Sequence, residues 1–155
     1  MKALVLLILI LPLGVYAENL AKDSTMDTTT GWSGDRKFET VEDNRVLVLE
    51  AEKKKTVVIS QEIKTRDISD LYITLRYRTK DYKGRGLQFR GKRQDGSSTF
   101  RTHELKADGT WHELKWRFSE IRGTNELRFS IELLQGQGTV LIDDVVVDTE
   151  SSSSN

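Results

Sequence analysis

From Arg45 onward apolar and polar residues alternate with a period of two. Leu71, Ile73, Leu75 and Tyr77 share one parity, against Tyr72, Thr74, Arg76 and Arg78 on the other. Leu87 and Phe89 alternate with Gln88, Arg90 and Lys92, and Leu114, Trp116 and Phe118 with Glu113, Lys115 and Arg117. Leu127, Phe129, Ile131 and Leu133 alternate with Arg128, Ser130 and Glu132, and Val57, Ile59 and Ile63 share a parity in a run ending at Thr65. Each run predicts a strand with one buried and one solvated face. Arg45 to Leu49 and Val140 to Val147 are apolar on both parities, which predicts strands covered on both sides or lying under a loop. Turn residues separate the runs at 81–86, at Gln94-Asp95-Gly96-Ser97, at Ala107-Asp108-Gly109 and at Gly136-Gln137-Gly138. Asp95-Gly96 between two alternating runs is the sharpest hairpin signal. The sum is roughly eight or nine short strands without crossover helices, an all-β antiparallel β-sandwich of jelly-roll type. The polar stretch from Ala21 to Phe38 is expected to wrap one end of it.

The amino terminus follows another rule. Met1-Lys2 precedes an apolar run from Ala3 to Val15, and Val15-Tyr16-Ala17 has the form of a signal-peptidase site. A retained anchor is the rival, but roughly 13 apolar residues fall short of the about 20 that span a bilayer. Pro12 and Gly14 near the end of the run also favour cleavage. The expected organisation is a signal peptide at 1–17, one sandwich domain at 18–148 and a disordered Ser-rich tail at 149–155. The expected destination is secreted or periplasmic, as a monomer with no membrane association after cleavage.

Composition removes several kinds of chemistry. The chain carries 24 Lys+Arg against 24 Asp+Glu, so no global charge favours nucleic acid. It has no cysteine, which excludes disulfides, thiolate metal sites and cysteine nucleophiles. Two histidines, His103 and His112, leave little material for a metal site or proton relay. No Ser-His-Asp, zinc or phosphate-loop motif is present. A pair of carboxylates could in principle cleave a glycosidic bond, but nothing in the sequence selects one pair.

A family resemblance enters at the carboxy-terminal half. Gly109-Thr110-Trp111 opens an amphipathic strand, Glu126 to Ile131 follows, and Gly138-Thr139-Val140-Leu141-Ile142-Asp143-Asp144-Val145 closes the pattern. Together with Val58 to Ile63 and Leu71 to Arg78, these segments resemble the galactose-binding-like carbohydrate-binding modules of the family 4/9/22 type. Where such modules usually open on Asn-Gly, Ala21-Lys22-Asp23-Ser24 stands here. The resemblance implies a non-catalytic protein whose partner is a polysaccharide or oligosaccharide. The alternative is a structural or protein-interaction sandwich of the same fold, without a sugar site.

Three sets of residues are candidates for the chemistry. Asp143 and Asp144 lie adjacent in an apolar strand, and a buried carboxylate needs a partner. The resemblance implies one structural calcium ion there, with Asp23 as a further ligand. Alternatively one Asp accepts backbone N–H bonds and the other is solvated. Among the aromatics, Trp32 in the polar amino-terminal stretch, Tyr72 at an outward position and Tyr82 in a Gly-rich turn are candidates to stack on sugar rings. Trp116, Phe118, Phe89, Phe129 and Tyr77 share the core parity, and Trp111 stands ambiguously at a strand end. Finally, Arg76, Arg78, Arg90, Lys92, Arg101, Lys115, Arg117 and Arg128 occupy outward positions, opposed there by Glu113 and Glu132. Arg76, Arg78 and Arg90 are candidate forks for an acidic or sulfated glycan. Such bases also protect exposed strands from aggregation, and alternate strands of a jelly roll would divide them between two sheets.

Overall fold

The alternating runs form strands because each can bury one row of side chains while its backbone bonds are met by neighbours. The computed structural model describes residues 19–22, 24–25, 31–66, 68–119, 121 and 123–149. The expected signal peptide, Asp23 and the tail beyond Thr149 lie outside the described residues.

Ten strands follow in order: β1 (Ser33–Gly34), β2 (Lys37–Val41), β3 (Asn44–Glu50), β4 (Val57–Lys64), β5 (Leu71–Gly84), β6 (Leu87–Arg93), β7 (Ser98–His103), β8 (Trp111–Phe118), β9 (Glu126–Leu133) and β10 (Gly136–Asp148). They build two antiparallel sheets, β1-β4-β9-β6-β7 and β2-β3-β10-β5-β8, packed face to face. The expected all-β jelly-roll sandwich is the fold observed. Between the sheets lie Phe89, Phe118, Phe129, Leu47, Ile59, Ile73 and Leu75, all fully buried. Trp116 lies at the edge of this core, stacked on Phe89 with centroids 5.6 Å apart.

The stretch before Phe38 is more ordered than expected. It contains β1 and the start of β2. Leu20 and Ser24 lie beside the far end of β10: Leu20 donates to the Val147 carbonyl at 2.7 Å and Val145 donates to the Ser24 carbonyl at 2.8 Å. These residues take the place that β3 leaves when its pairing with β10 ends at Leu47–Ile142.

Strand β5 also runs further than the turn residues predict. Tyr82, expected in a loop, is a strand residue only 5% exposed. Gly84 leaves room for its ring, since a Cβ there would lie 2.5 Å from the Tyr82 hydroxyl oxygen. That oxygen accepts the Gly86 N–H at 2.8 Å, so the reversal falls at Arg85-Gly86. The Asp95-Gly96 hairpin joins β6 to β7, with the Asp95 carboxylate accepting the Ser97 N–H at 2.8 Å.

Candidate functional site

The outward rows of the two sheets make two different surfaces. On the β2-β3-β10-β5-β8 sheet, Val46, Val48 and Leu141 form a small apolar cluster covered by Val41 and Trp111. This accounts for the strands that read as apolar on both parities. Beside it is a cavity of about 840 Å³ lined by Glu39, Val41, Arg78, Lys80, Asp108 and Leu141, among others. Arg78 is held across its mouth, donating to the Gly109 carbonyl at 2.7 Å and to Glu42 at 3.2 Å.

Asp143 and Asp144 belong to this surface. Alternation would send them to opposite faces, but the β10–β5 register shifts between Asp143 and Val146 and Asp144 takes φ 49°. Both carboxylates thereby reach Arg76, at 3.9 Å for Asp143 and 3.1 Å for Asp144. Asp143 is 2% exposed and accepts from the Asn44 amide at 2.7 Å and from the Asp144 N–H at 2.9 Å. Burial, followed by the neighbouring Asp144 charge, pushes its pKa above the ordinary carboxylate value.

The described residues do not by themselves make a calcium site between this pair and the amino-terminal segment. The positive charge at the pair is Arg76, and each Asp143 oxygen already has a donor. The Asn19 side-chain oxygen is taken by the Ala21 and Val147 N–H groups, at 3.0 and 2.9 Å. Among the described residues, no group of three or more carboxylates or imidazoles could hold a metal. Asp23 lies outside them.

The outward row of the β1-β4-β9-β6-β7 sheet is polar and fixed. Gln88 on β6 and Glu132 on β9 are paired in register and buried. Gln88 donates its amide to Glu132 at 2.9 Å and accepts from the Thr102 hydroxyl at 3.2 Å. Arg90 donates to both Glu132 oxygens, through Nε at 2.8 Å and Nη2 at 3.4 Å. Beside this network, opposite Arg90 in register, stands Phe100 on the edge strand β7. It is 57% exposed, and the Arg90 guanidinium lies 5.2 Å from its ring centre. Further across the sheet, a recess of about 340 Å³ opens between β1, β4 and β9, lined in part by Trp32, Ser60, Gln61 and Arg128.

The expected site residues are therefore dispersed. Tyr72, Arg76 and Arg78 face out from one sheet and Arg90 from the other. Two of the expected stacking rings have no open face to lay against a sugar. Trp32 is 3% exposed with its ring 6.2 Å from Phe129, because the segment after it folds down as β1; Tyr82 is buried under Gly84 as described. Tyr72 is half-buried with the Arg117 guanidinium 5.8 Å from its ring, and Arg117 also pairs with Asp70 at 3.3 Å. Lys115 pairs with Glu113 at 3.0 Å. Most of the outward bases thus meet carboxylates of their own chain.

Phe100, Gln88 and Glu132 were not singled out by the sequence. A lone Phe at an outward position of a polar edge strand was their one available signal. The two histidines are structural in their contacts: His103 lies against Phe89 at 5.4 Å, and burial lowers its pKa, with Arg101 adding to the shift. His112 bonds Asp108 at 2.9 Å, which holds that carboxyl well below its ordinary value.

Comparison with known proteins reports on the fold. No family model and no curated protein matches the chain by sequence. The solved structures that share its fold are mostly carbohydrate-binding modules. One is a family 61 module in complex with β-1,4-galactotriose, with TM-score 0.63 and 15% identity, over 86% of this chain and 99% of that one. Another, described as a putative sugar-binding protein from Bacteroides thetaiotaomicron, has TM-score 0.64 and 13% identity, over 86% of this chain and 100% of that one. The enzymatically active domain of bacteriophage CBA120 tailspike protein 4 also matches, with TM-score 0.61 and 9% identity. The chain covers 84% of itself there but only 21% of that domain. The fold is an antiparallel β-sandwich shared with these carbohydrate-binding modules.

Proposed function

We propose that this chain is a secreted, non-catalytic carbohydrate-binding protein that takes a polysaccharide or oligosaccharide on the outward face of the β1-β4-β9-β6-β7 sheet. The observation that carries the reading is Phe100 exposed beside the network in which half-buried Arg90 joins the buried Gln88 and Glu132. A sugar ring offers an apolar face to stack and hydroxyls that need donors and acceptors fixed in advance. Five strands about 4.8 Å apart make a face roughly 19 Å wide, long enough for several sugar units. The non-catalytic part is supported by the fold shared with carbohydrate-binding modules. Export rests on the apolar run from Ala3 to Val15 and the signal-peptidase form of Val15-Tyr16-Ala17.

The anionic part of the reading narrows. Arg76, Arg78, Lys115 and Arg117 lie on the other sheet, each against a carboxylate. Preference for an acidic glycan therefore rests on the end of the proposed face that carries Arg128. An array of neutral and uronic-acid polysaccharides tests the whole reading. Retention of at least one class, lost in Glu132→Ala and Phe100→Ala, is expected. A folded wild-type protein that retains none would overturn it.

A further inference from the structure

We infer that the recess between β1, β4 and β9 binds the carboxylate of a uronic-acid unit, extending the proposed glycan face to its far edge. This rests on the carbohydrate reading above. Trp32 and Gln61 both line the recess, and both are nearly inaccessible to solvent. The Trp32 indole Nε1–H and the Gln61 amide Nε2 are buried donors without a hydrogen-bond partner. Gln61 spends its oxygen on the Lys22 N–H at 2.9 Å, which fixes the amide so that its nitrogen is the atom left over. Buried donors are rarely left unpaired, and two on one recess call for an acceptor to occupy it.

The charge around the recess says which acceptor. Among the described residues, Lys22 and Arg128 line it against one acid, Glu62, which faces Arg128 in register on the neighbouring strand. A planar carboxylate offers its acceptor lone pairs to the two N–H groups and its charge to the two cations. The volume of about 340 Å³ exceeds the roughly 30 Å³ share of one water about tenfold, which suits a sugar unit better than a lone solvent molecule.

The test uses the indole N–H as its reporter. In a proton–nitrogen correlation spectrum, the Trp32 indole signal is assigned by its loss in Trp32→Phe. The protein is then titrated with a glucuronate-bearing oligosaccharide, its neutral counterpart, free glucuronate and acetate. The expected result is downfield movement of that signal with the acidic sugar and with glucuronate. The acidic oligosaccharide should bind about tenfold tighter than the neutral one, the scale of one charge-assisted hydrogen bond. Arg128→Gln, at an exposed position, should remove most of that preference even if Trp32→Phe fails to fold. Equal movement with acetate would assign the recess to carboxylates in general and overturn the sugar assignment. Equal affinity for acidic and neutral chains with the indole unmoved would overturn the recess and leave the glycan face standing. Movement with glucuronate but no oligosaccharide binding would support the recess while the face itself fails; silence to every probe would sink both.

Discussion

Truncating Phe100 separates binding from stability. A phenylalanine side chain covers about 150–250 Å² when buried. At 57% exposure, on the order of 100 Å² of Phe100 faces water. The Arg90 guanidinium occupies one side of the ring, so a pyranose on the open side would cover about half of that area. At about 25 cal/mol per Å², 50 Å² gives about 1.3 kcal/mol, close to a tenfold change in Kd. The free protein should barely notice the change, because surface substitutions away from packed features stay within about 0.5 kcal/mol. Isothermal titration with a glycan identified on the array, beside urea unfolding of the same sample, reads both quantities. Phe100→Ala should weaken Kd about tenfold with the midpoint of unfolding unmoved, and Phe100→Trp should retain or improve affinity. An unchanged Kd would remove Phe100 from the site. A loss of affinity that arrives with a loss of stability would make the ring structural and refute the reasoning.

Glu132→Gln keeps the shape but brings an amide against the Arg90 and Gln88 donors, so urea unfolding should show a loss of about 1.5–3 kcal/mol. Gly84→Ala drives a methyl into the buried Tyr82 ring and should cost about 1–3 kcal/mol in the same assay, whereas a neutral result would mean that the ring can move aside. Asp143 has a folded pKa raised above its unfolded value, so its stabilising contribution is full below the unfolded pKa and is lost as pH rises through the folded one. Asp143→Asn should therefore gain in melting temperature relative to wild type as pH rises above the ordinary carboxylate pKa, and a difference independent of pH would contradict the burial argument. With Arg76 already serving both aspartates, calcium added after chelation should leave the melting temperature unmoved, and a rise of several degrees would show a metal held.

The sandwich was legible because period-two alternation is a local signal, and residues such as Leu71 to Tyr77 keep it over long runs. Its failures share one cause: partners distant in sequence. Tyr82 reads as a loop residue because two glycines follow it closely, yet Gly84 is there to clear space for its ring and Gly86 to bond its hydroxyl. Asp143 and Asp144 read as pointing apart because the bulge that brings them together depends on the β5 register. Trp32, in a polar stretch, reads as exposed; its cover comes from Phe129 nearly a hundred residues away. The charge pattern misled in the same manner. Arg76 meets Asp144 across 68 residues and Arg78 meets Glu42 across 36, so a row of bases reads as a binding stripe until the strands are paired.

The same pairing distinguishes the two faces by what their polar groups do. On the β2-β3-β10-β5-β8 sheet the arginines are cross-links: Arg76 secures the bulge, Arg78 ties a loop carbonyl to β5, and Arg117 ties Asp70 to Tyr72. A ligand that recruited them would have to break contacts the fold already uses. On the other sheet, Arg90 and Gln88 also hold a partner, but their work is to fix Glu132 in an outward row next to an exposed ring. Sugar hydroxyls gain little from groups that must be ordered on binding, because water competes equally well for each bond. They gain from groups ordered beforehand, since that entropy is already lost in folding. On the proposed reading, the pre-ordered network beside the exposed Phe100 ring is therefore the better glycan candidate than the arginines of the other sheet.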